Sequence, residues 1–473
     1  MDEQNEDPKS LRGKRIMKIG VLLFWSLIIS IAGVRVTFSF IQNKPDVGIC
    51  LRQSVSGVGT AFANPVIKDT GQILVINVQE MTLNSENSHV CATGILIRLK
   101  TKAYPRFSLG DQVNFSGNLS SPFNFSSTDG RIFDYKGYLA KDDIFYEIKS
   151  GIVSLTKANS TQNNWLQNIL SYTTGRLYSI KHTFISNLNK VLGEPQASFA
   201  TGLVVGERST IDPKLLDDFR TVGLIHIIIF AGFHVAIVVA SLRRMFSFLP
   251  RIWSILFVGI GLILFAVLVG GSATVIRSCS MASIALVADL FRRGYSSVRA
   301  LIFVVLLMVI QSPMILFHDS AFQLSCLATL GMILLMNPLK KRLRFITDRF
   351  GIRSIVAATL AAQIFVSPLI IYLMGQVSVI SIVVNILVLP FIPLTMLFVF
   401  LTGATGFVSG AVSTVMSWGS HLLLSYVLFI IQEFARIPFA SFHIPSFSGW
   451  IVVAFYTIFL AVYWYIIKKP SVG

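Results

Sequence analysis

Charge is scarce in this chain. Only 13% of its 473 residues are Asp, Glu, Lys or Arg, against roughly 25% in an ordinary soluble protein. Acidic residues are the scarcer sign, 23 against 40 basic, for a net charge of +17. Cysteine is rare as well: Cys50, Cys91, Cys279 and Cys326 are all there is. The seven histidines are scattered. No HExxH, no DxD and no cysteine cluster is present, which argues against a metal centre. No Ser-His-Asp arrangement, P-loop or Rossmann fingerprint stands out. The stretch "GLVVGERS" (202–209) lacks the Lys-Ser/Thr ending of a phosphate loop. These absences leave no catalytic residue, no metal and no cofactor to assign.

Apolar residues are abundant, at 53%. Several runs reach the ~20 residues that cross ~30 Å of hydrocarbon, so the fold class is a polytopic α-helical membrane protein. A disordered N-terminus and a first, uncleaved transmembrane helix take residues 1–41, the helix following the basic run "KSLRGKRIMK". Further spans fall near 222–242, 252–270, 273–291, 297–312, 320–336, 353–374, 378–402, 409–433 and 449–467, about ten transmembrane helices in all.

Residues 42–160 differ in character. Alternating runs such as "GQILVINVQEM", "HVCATGILIRLK" and "DQVNFSGNL" are separated by turn residues, the pattern of a small all-β barrel or sandwich. Residues 161–193 read as an amphipathic helix on the membrane surface or against the bundle, or as a linker helix. Residues 194–473 are helical.

Charge orients the chain. Lys9, Arg12, Lys14, Arg15 and Lys18 put the N-terminus inside. Alternation then places Arg243, Arg244 and Arg251, then Arg292, Arg293 and Arg299, then the cluster from Lys340 to Arg353, and finally Lys468 and Lys469 in cytoplasmic segments. The opposite loops hold one arginine between them. Both termini are thus expected in the cytoplasm and the β domain outside it. There Cys50 and Cys91 can pair. Cys279 and Cys326, in apolar runs, read as packing residues. Residues 42–160 carry 12 basic and 10 acidic groups, too even a balance for a strong polyanion site.

Polar groups inside the apolar runs need a reason. In "GLIHIIIFAGFHVAIVVA" (223–240) His226 and His234 lie eight apart. On one continuous helix they would differ by ~80° and share a broad face, which would turn them to the bundle interior. A histidine there can bind metal, carry protons or bond a neighbouring helix, and the last is the ordinary role. Gly232 would let the backbone loosen or another approach. Arg277 reads either as a side chain reaching for the outer interface or as a cation on an anion path. Asp319 suits a helix cap, with Gln323 and Ser325 pointing into membrane depth. Gln376, Ser378, Ser381 and Asn385 precede Pro390 and Pro393, which suggest a broken or kinked helix.

Several of these stretches resemble, in order, the ComEC-type competence channel family. "HIIIFAGFHVAIVVA" is similar to its H-L-L-A-I-S-G-L-H-V signature, and "GERSTIDPKLLDDFRTVGLIH" to the stretch leading into it. "VIRSCSMASIALVADLFRR" resembles the Arg-containing helix. "SPMILFHDSAFQLSCLATLGMILL" resembles the D-P-G-F-Q-L-S-F-L-A-V-L-G run, and "SPLIIYLMGQVSVISIVVNILVLPFIPL" the S-P-L to N-L to P segment. "GDQVNFSGNL" and "FDYKGYLAKDDI" resemble the extracytoplasmic OB-like domain. The family's Ser-Gly is Ala231-Gly232 here, and its Asp-Pro-Gly is Asp319-Ser320-Ala321.

The resemblance implies an inner-membrane channel passing single-stranded DNA into a bacterial cytoplasm during natural transformation. It puts His226, Gly232, His234, Arg277, Asp319, Phe322, Gln323 and Asn385 at motif positions of the channel domain. Implied partners are single-stranded DNA and membrane lipid, with a DNA receptor, a cytoplasmic helicase and a separate nuclease beside them. OB folds stack bases on aromatics. Phe115, Phe123, Phe125, Phe133, Tyr135 and Tyr138 are available, with Phe133, Tyr135 and Tyr138 the stacking candidates. Many members also carry a metallo-β-lactamase-like domain, whose H-x-H-x-D-H motif is absent from this sequence, so the chain is not expected to be a nuclease. Other readings of the same fold are a transporter or exporter of another substrate, a membrane enzyme using His226, His234 and Asp319, or an assembly protein.

Overall fold

The computed structural model describes residues 24–39, 45, 47–63, 65–68, 71–83, 90–108, 110–126, 130–157, 165–208, 210–230 and 232–468. The expected disordered N-terminus and the alanine of the Ala231-Gly232 pair lie outside them. Helix α1 (Phe24–Ser39) comes first and leads into a β-rich region. Its strands are β1 (Ser54–Ala61), β2 (Val66–Lys68), β3 (Gly71–Leu83), β4 (Val90–Ala92), β5 (Leu96–Thr101), β6 (Gln112–Ser120), β7 (Phe125–Ser126) and β8 (Ile132–Phe133). Helix α2 (Tyr135–Ala140), β9 (Ile144–Ile148) and β10 (Ile152–Lys157) complete it.

Five of these strands form a ring. β1 pairs with β3, β3 with β5, β5 with β9, β9 with β6, and β6 with β1. Every pairing is antiparallel except β5–β9. A closed ring has no free edge to recruit other strands. The alternation read in the sequence supplies its core. Leu74, Ile76 and Val78 of β3 point inward with Ile97 and Leu99 of β5, Val113 and Phe115 of β6 and Ile148 of β9. Phe115 is therefore a core residue, 2% exposed, and unavailable for stacking. A disulfide joins Cys50, on the turn before β1, to Cys91 on β4, with the Cα atoms 6.0 Å apart.

The rest is helical: α3 (Trp165–Val191), α4 (Gln196–Val205), α5 (Pro213–Thr221), α6 (Ile225–Ile228), α7 (Gly232–Met245), α8 (Arg251–Val269), α9 (Ala273–Leu290) and α10 (Ser297–Gln311). Then come α11 (Ile315–His318), α12 (Ser320–Arg342), α13 (Ile352–Met374), β11 (Gln376–Ser378), α14 (Ser381–Val388), α15 (Ile392–Thr405), α16 (Gly410–Ala435), β12 (Ser441–His443) and α17 (Gly449–Lys468). Five of these, α8, α9, α12, α13 and α16, are long and apolar enough to cross a membrane. The pair α14 and α15 would be a sixth, bent by 49°. The bend falls at Pro390, where a missing N–H and the ring's bulk break the helix. Other apolar helices, among them α1, α4 and α10, are shorter.

The main helical core gathers α3 to α6 with α14 to α16. α4 is buried on all sides, as a helix without a polar face must be. α3 lies against this bundle: Phe184 and Leu188 enter its core, and the Asn187 amide donates to the Gly403 carbonyl at 3.4 Å.

The expected span 222–242 is not one helix. α6 has four residues, Ile229 is extended, and α7 starts at Gly232. His226 and His234 therefore lie on different helices, and the shared face drawn from a continuous 3.6-residue period does not exist. Thr274 Oγ1 donates to the Phe230 carbonyl at 2.8 Å, giving the interrupted backbone a buried partner.

Candidate functional site

Two stretches far apart in the chain meet at a seam between the β region and the helices. Asp134 caps α2, its Oδ1 accepting from the Gly137 N–H at 3.0 Å. Its other oxygen lies 3.2 Å from His318 Nε2 at the end of α11. Gly137 packs so tightly here that a Cβ would fall 1.9 Å from His318 Cδ2, so a larger residue would have to push the Asp134 and His318 side chains aside. Lys141 follows. Its ammonium meets Asp319 Oδ2 at 2.5 Å, with the two side chains 12% and 4% exposed. Ser312 Oγ donates to the Lys141 carbonyl at 2.7 Å. Burial would lower the Lys141 pKa, yet the hydrogen bond to Asp319 and the neighbouring negative groups carry it above its ordinary value. The remaining Asp319 oxygen accepts from the Phe322 N–H at 3.0 Å and caps α12.

Arg131 anchors the same region further along. Its guanidinium donates to the carbonyls of Tyr372 at 3.3 Å, Ile371 at 3.4 Å and Ile444 at 2.5 Å. "FDYKGYLAKDDI" and "SPMILFHDS" are thus two sides of one contact. Sequence reasoning quoted both and missed that Lys141, Asp134 and His318 join them.

Beside the seam the long connection from β6 to β9 carries an aromatic and cationic surface. Phe125 and Tyr135 have ring centroids 5.1 Å apart, and Phe133 and Tyr138 6.0 Å. Arg98 stands over Tyr135 and donates to its hydroxyl. Lys141 lies 4.2 Å from the centre of Tyr138, and Lys149 4.8 Å from that of Phe123. Phe123, Phe125, Phe133 and Tyr138 are exposed. Tyr135 is half-buried between Phe125 and Arg98.

Deeper in the helices lies Arg277 on α9, 3% exposed. Its Nε and Nη2 donate to Ser325 Oγ at 3.0 and 2.7 Å, Nη2 to Ser278 Oγ at 3.2 Å, and Nη1 to the Met281 sulfur at 3.4 Å. Among the described residues no carboxylate is paired with it. Ser325 is six residues beyond Asp319, ~9 Å along α12. Gly232, at the start of α7, brings its backbone up to this group: a Cβ there would lie 3.4 Å from Ser278 Oγ and 3.7 Å from Arg277 Nη2. The structure thus joins Gly232, Arg277, Ser278 and Ser325.

The other motif residues divide. His234 is buried, with the Phe230 ring 4.8 Å away. His226 sits on the short α6, after a turn at Gly223 that packs on Ser378 and Ser381. Asn385 on α14 is buried, and its Oδ1 has no hydrogen-bond partner among the described residues. Phe322 packs with Val304, Met308 and Ile315. Gln323 does not reach into depth: its amide donates to the Leu316 and Phe317 carbonyls at 2.8 and 3.1 Å and holds the α11 turn. Among the described residues no group of three or more His, Cys, Asp or Glu could hold a metal.

Comparison with known proteins is consistent across the helical half. Residues 203–469 match the family model described as Competence protein. Over 284 residues the chain is 25% identical to ComE operon protein 3 of Bacillus subtilis (strain 168), which is 60% of this chain and 34% of that protein. The chain therefore spans about a third of the length of this curated relative. No solved structure matches it.

Proposed function

Because the chain belongs to the competence protein family, we propose that it passes single-stranded DNA across a bacterial cytoplasmic membrane into the cell during natural transformation. In this reading the β region is an OB-like barrel outside the membrane, about ten segments span it, and both termini are cytoplasmic. The ring order supports the barrel. Numbered along the chain, its five strands run 1-2-3-5-4 and back to 1, with one parallel pair. OB barrels bind oligonucleotides on the face of strands 2 and 3 and with the loop between strands 4 and 5. That loop here is the aromatic connection from β6 to β9, and Arg98 comes from the third strand.

The observation that carries the reading is Arg277. A guanidinium buried among helices, with only hydroxyl and thioether partners and no counter-charge among the described residues, carries a desolvation cost of several kcal/mol. A passing phosphodiester would supply that charge, and a single strand brings one at every nucleotide. The enzyme alternative has less support, because both Asp319 oxygens are engaged by Lys141 and the α12 cap. The chain itself does not cut DNA in this reading, so degradation of the other strand falls to a separate nuclease, with a receptor and a helicase as further partners.

Replacing Arg277 by Gln tests this, with Arg277→Lys beside it. Arg277→Gln should reach the membrane at normal level and lower transformation at least tenfold, with Lys restoring part of it. Normal transformation by Arg277→Gln would remove the main support for the reading.

A further inference from the structure

The turn from α12 to α13 contains a feature that the DNA reading above does not invoke. A cleft of 410 Å³ opens there, lined by Asn337, Lys340, Lys341, Arg344, Asp348 and Arg353. Lys340, Lys341 and Arg342 end α12, and Arg344, Arg349 and Arg353 follow, with Asp348 the one acidic residue between 337 and 353. Asp348 lies 3.9 Å from Arg353, the outer limit of an ion pair. Cations at a helix C-terminus complement its dipole, and cytoplasmic loops gather them in general. Both effects account for their number. Neither accounts for four of them converging on one concavity.

The cleft is also held in shape. Arg353 Nε and Nη2 donate to the Ile346 carbonyl at 2.9 and 2.7 Å, and Nη2 reaches the Arg344 carbonyl at 3.3 Å. This fixes the turn as one wall. The other wall is the end of α12. Both helices are long enough to span, and they pack closely: a Cβ on Gly331 would fall 2.4 Å from the Ala361 carbonyl oxygen. The cleft therefore opens at the common end of two packed helices that are each long and apolar enough to span. Phe345 beside it is 82% exposed, an apolar ring of the kind that membrane-surface helices bury at the headgroup–acyl boundary.

We propose that this cleft binds the phosphate headgroup of an anionic phospholipid, with Lys340, Lys341 and Arg344 as the contacting cations and Arg353 as a positioning residue. Basic pockets between spanning helices take such headgroups. The proposal is independent of the DNA reading.

The test uses the full chain in neutral detergent, monodisperse by size exclusion, with native mass spectrometry as the readout. Cardiolipin, phosphatidylglycerol and phosphatidylcholine are added separately. Wild-type protein should retain cardiolipin and phosphatidylglycerol at least tenfold better than phosphatidylcholine. Lys341→Gln with Arg344→Gln should lose most of that preference. Arg342→Gln with Arg349→Gln removes the same charge from outside the cleft lining and should keep it. Equal retention of all three lipids would overturn the proposal, as would equal loss in both double variants. So would displacement of the lipid by millimolar inorganic phosphate. A Lys341/Arg344 variant that loses oligonucleotide binding while keeping the lipid would show the wrong ligand class and overturn it as well.

Discussion

Lys141 and Asp319 are 178 residues apart in the chain and 2.5 Å apart in space. Half of this was legible in the sequence: an Asp just before a helix reads as a cap, and Asp319 is one. The other half was not, because no local pattern tells a Lys in a β region which helix end it will meet. Pairing explains how both charges tolerate near-complete burial. Removing one partner of a buried pair costs about 3–5 kcal/mol, since the other charge is left uncompensated. Lys141→Met should therefore lower the unfolding temperature in detergent clearly. Asp319→Asn should do so too, and the double variant should lose less than the two effects added together. Coupling of about 1–3 kcal/mol is expected from a double-mutant cycle, and additivity within about 0.5 kcal/mol would mean the pair does not hold the seam. The sign of the pH effect follows from the raised Lys141 pKa. Its contribution is present below the unfolded value of 10.5 and is lost only as pH rises through the higher folded value. Changes across pH 6–9 should come from other groups.

Among the elements, two interrupted helices differ in how readable they were. Pro390 and Pro393 announce the bend between α14 and α15, because proline removes a donor and blocks the preceding turn. The break between α6 and α7 has no proline, only Gly232, which reads as a place where the backbone could loosen. Apart from the two histidines the run is apolar, so it reads as one span on which His226 and His234 would share a face. What permits the break is distant in sequence: the Thr274 hydroxyl donating to the Phe230 carbonyl. Polar backbone inside a bundle needs such a partner. Thr274→Val keeps the shape and leaves that carbonyl buried and unsatisfied, a cost of about 1–3 kcal/mol. Thermal unfolding should show the loss, and an unchanged midpoint would mean that the break is stabilised elsewhere. In the barrel the alternation of β3 and β5 was plain from composition, whereas the closure of β1 onto β6 was not, since strand partners are set by three-dimensional packing. The Cys50–Cys91 link closes a loop of sequence separation 41, worth roughly 3–4 kcal/mol in the loop-entropy model. Non-reduced peptide mapping of protein from native membranes should recover the linked pair. Free thiols at both positions would contradict it.

At the scale of the whole molecule these parts are joined contact by contact. Exposed aromatics with cations on the β6–β9 connection adjoin the seam, the seam fixes the start of α12, and ~9 Å further along that helix Ser325 holds Arg277. Short family motifs made the helical half recognisable from sequence. They did not reveal that Phe322 and Gln323 are packing and turn-holding residues while Ser278 and Ser325 bond the buried arginine, because a motif records position and not partner. The central claim concerns what crosses the membrane. The direct measurement is DNase-protected uptake of end-labelled DNA in a transformable host deleted for this gene, with and without the gene restored. Deleted cells should bind labelled DNA at their surface as before and accumulate no protected strand, and restoration should return it. Undiminished protected DNA in the deleted cells would contradict the account.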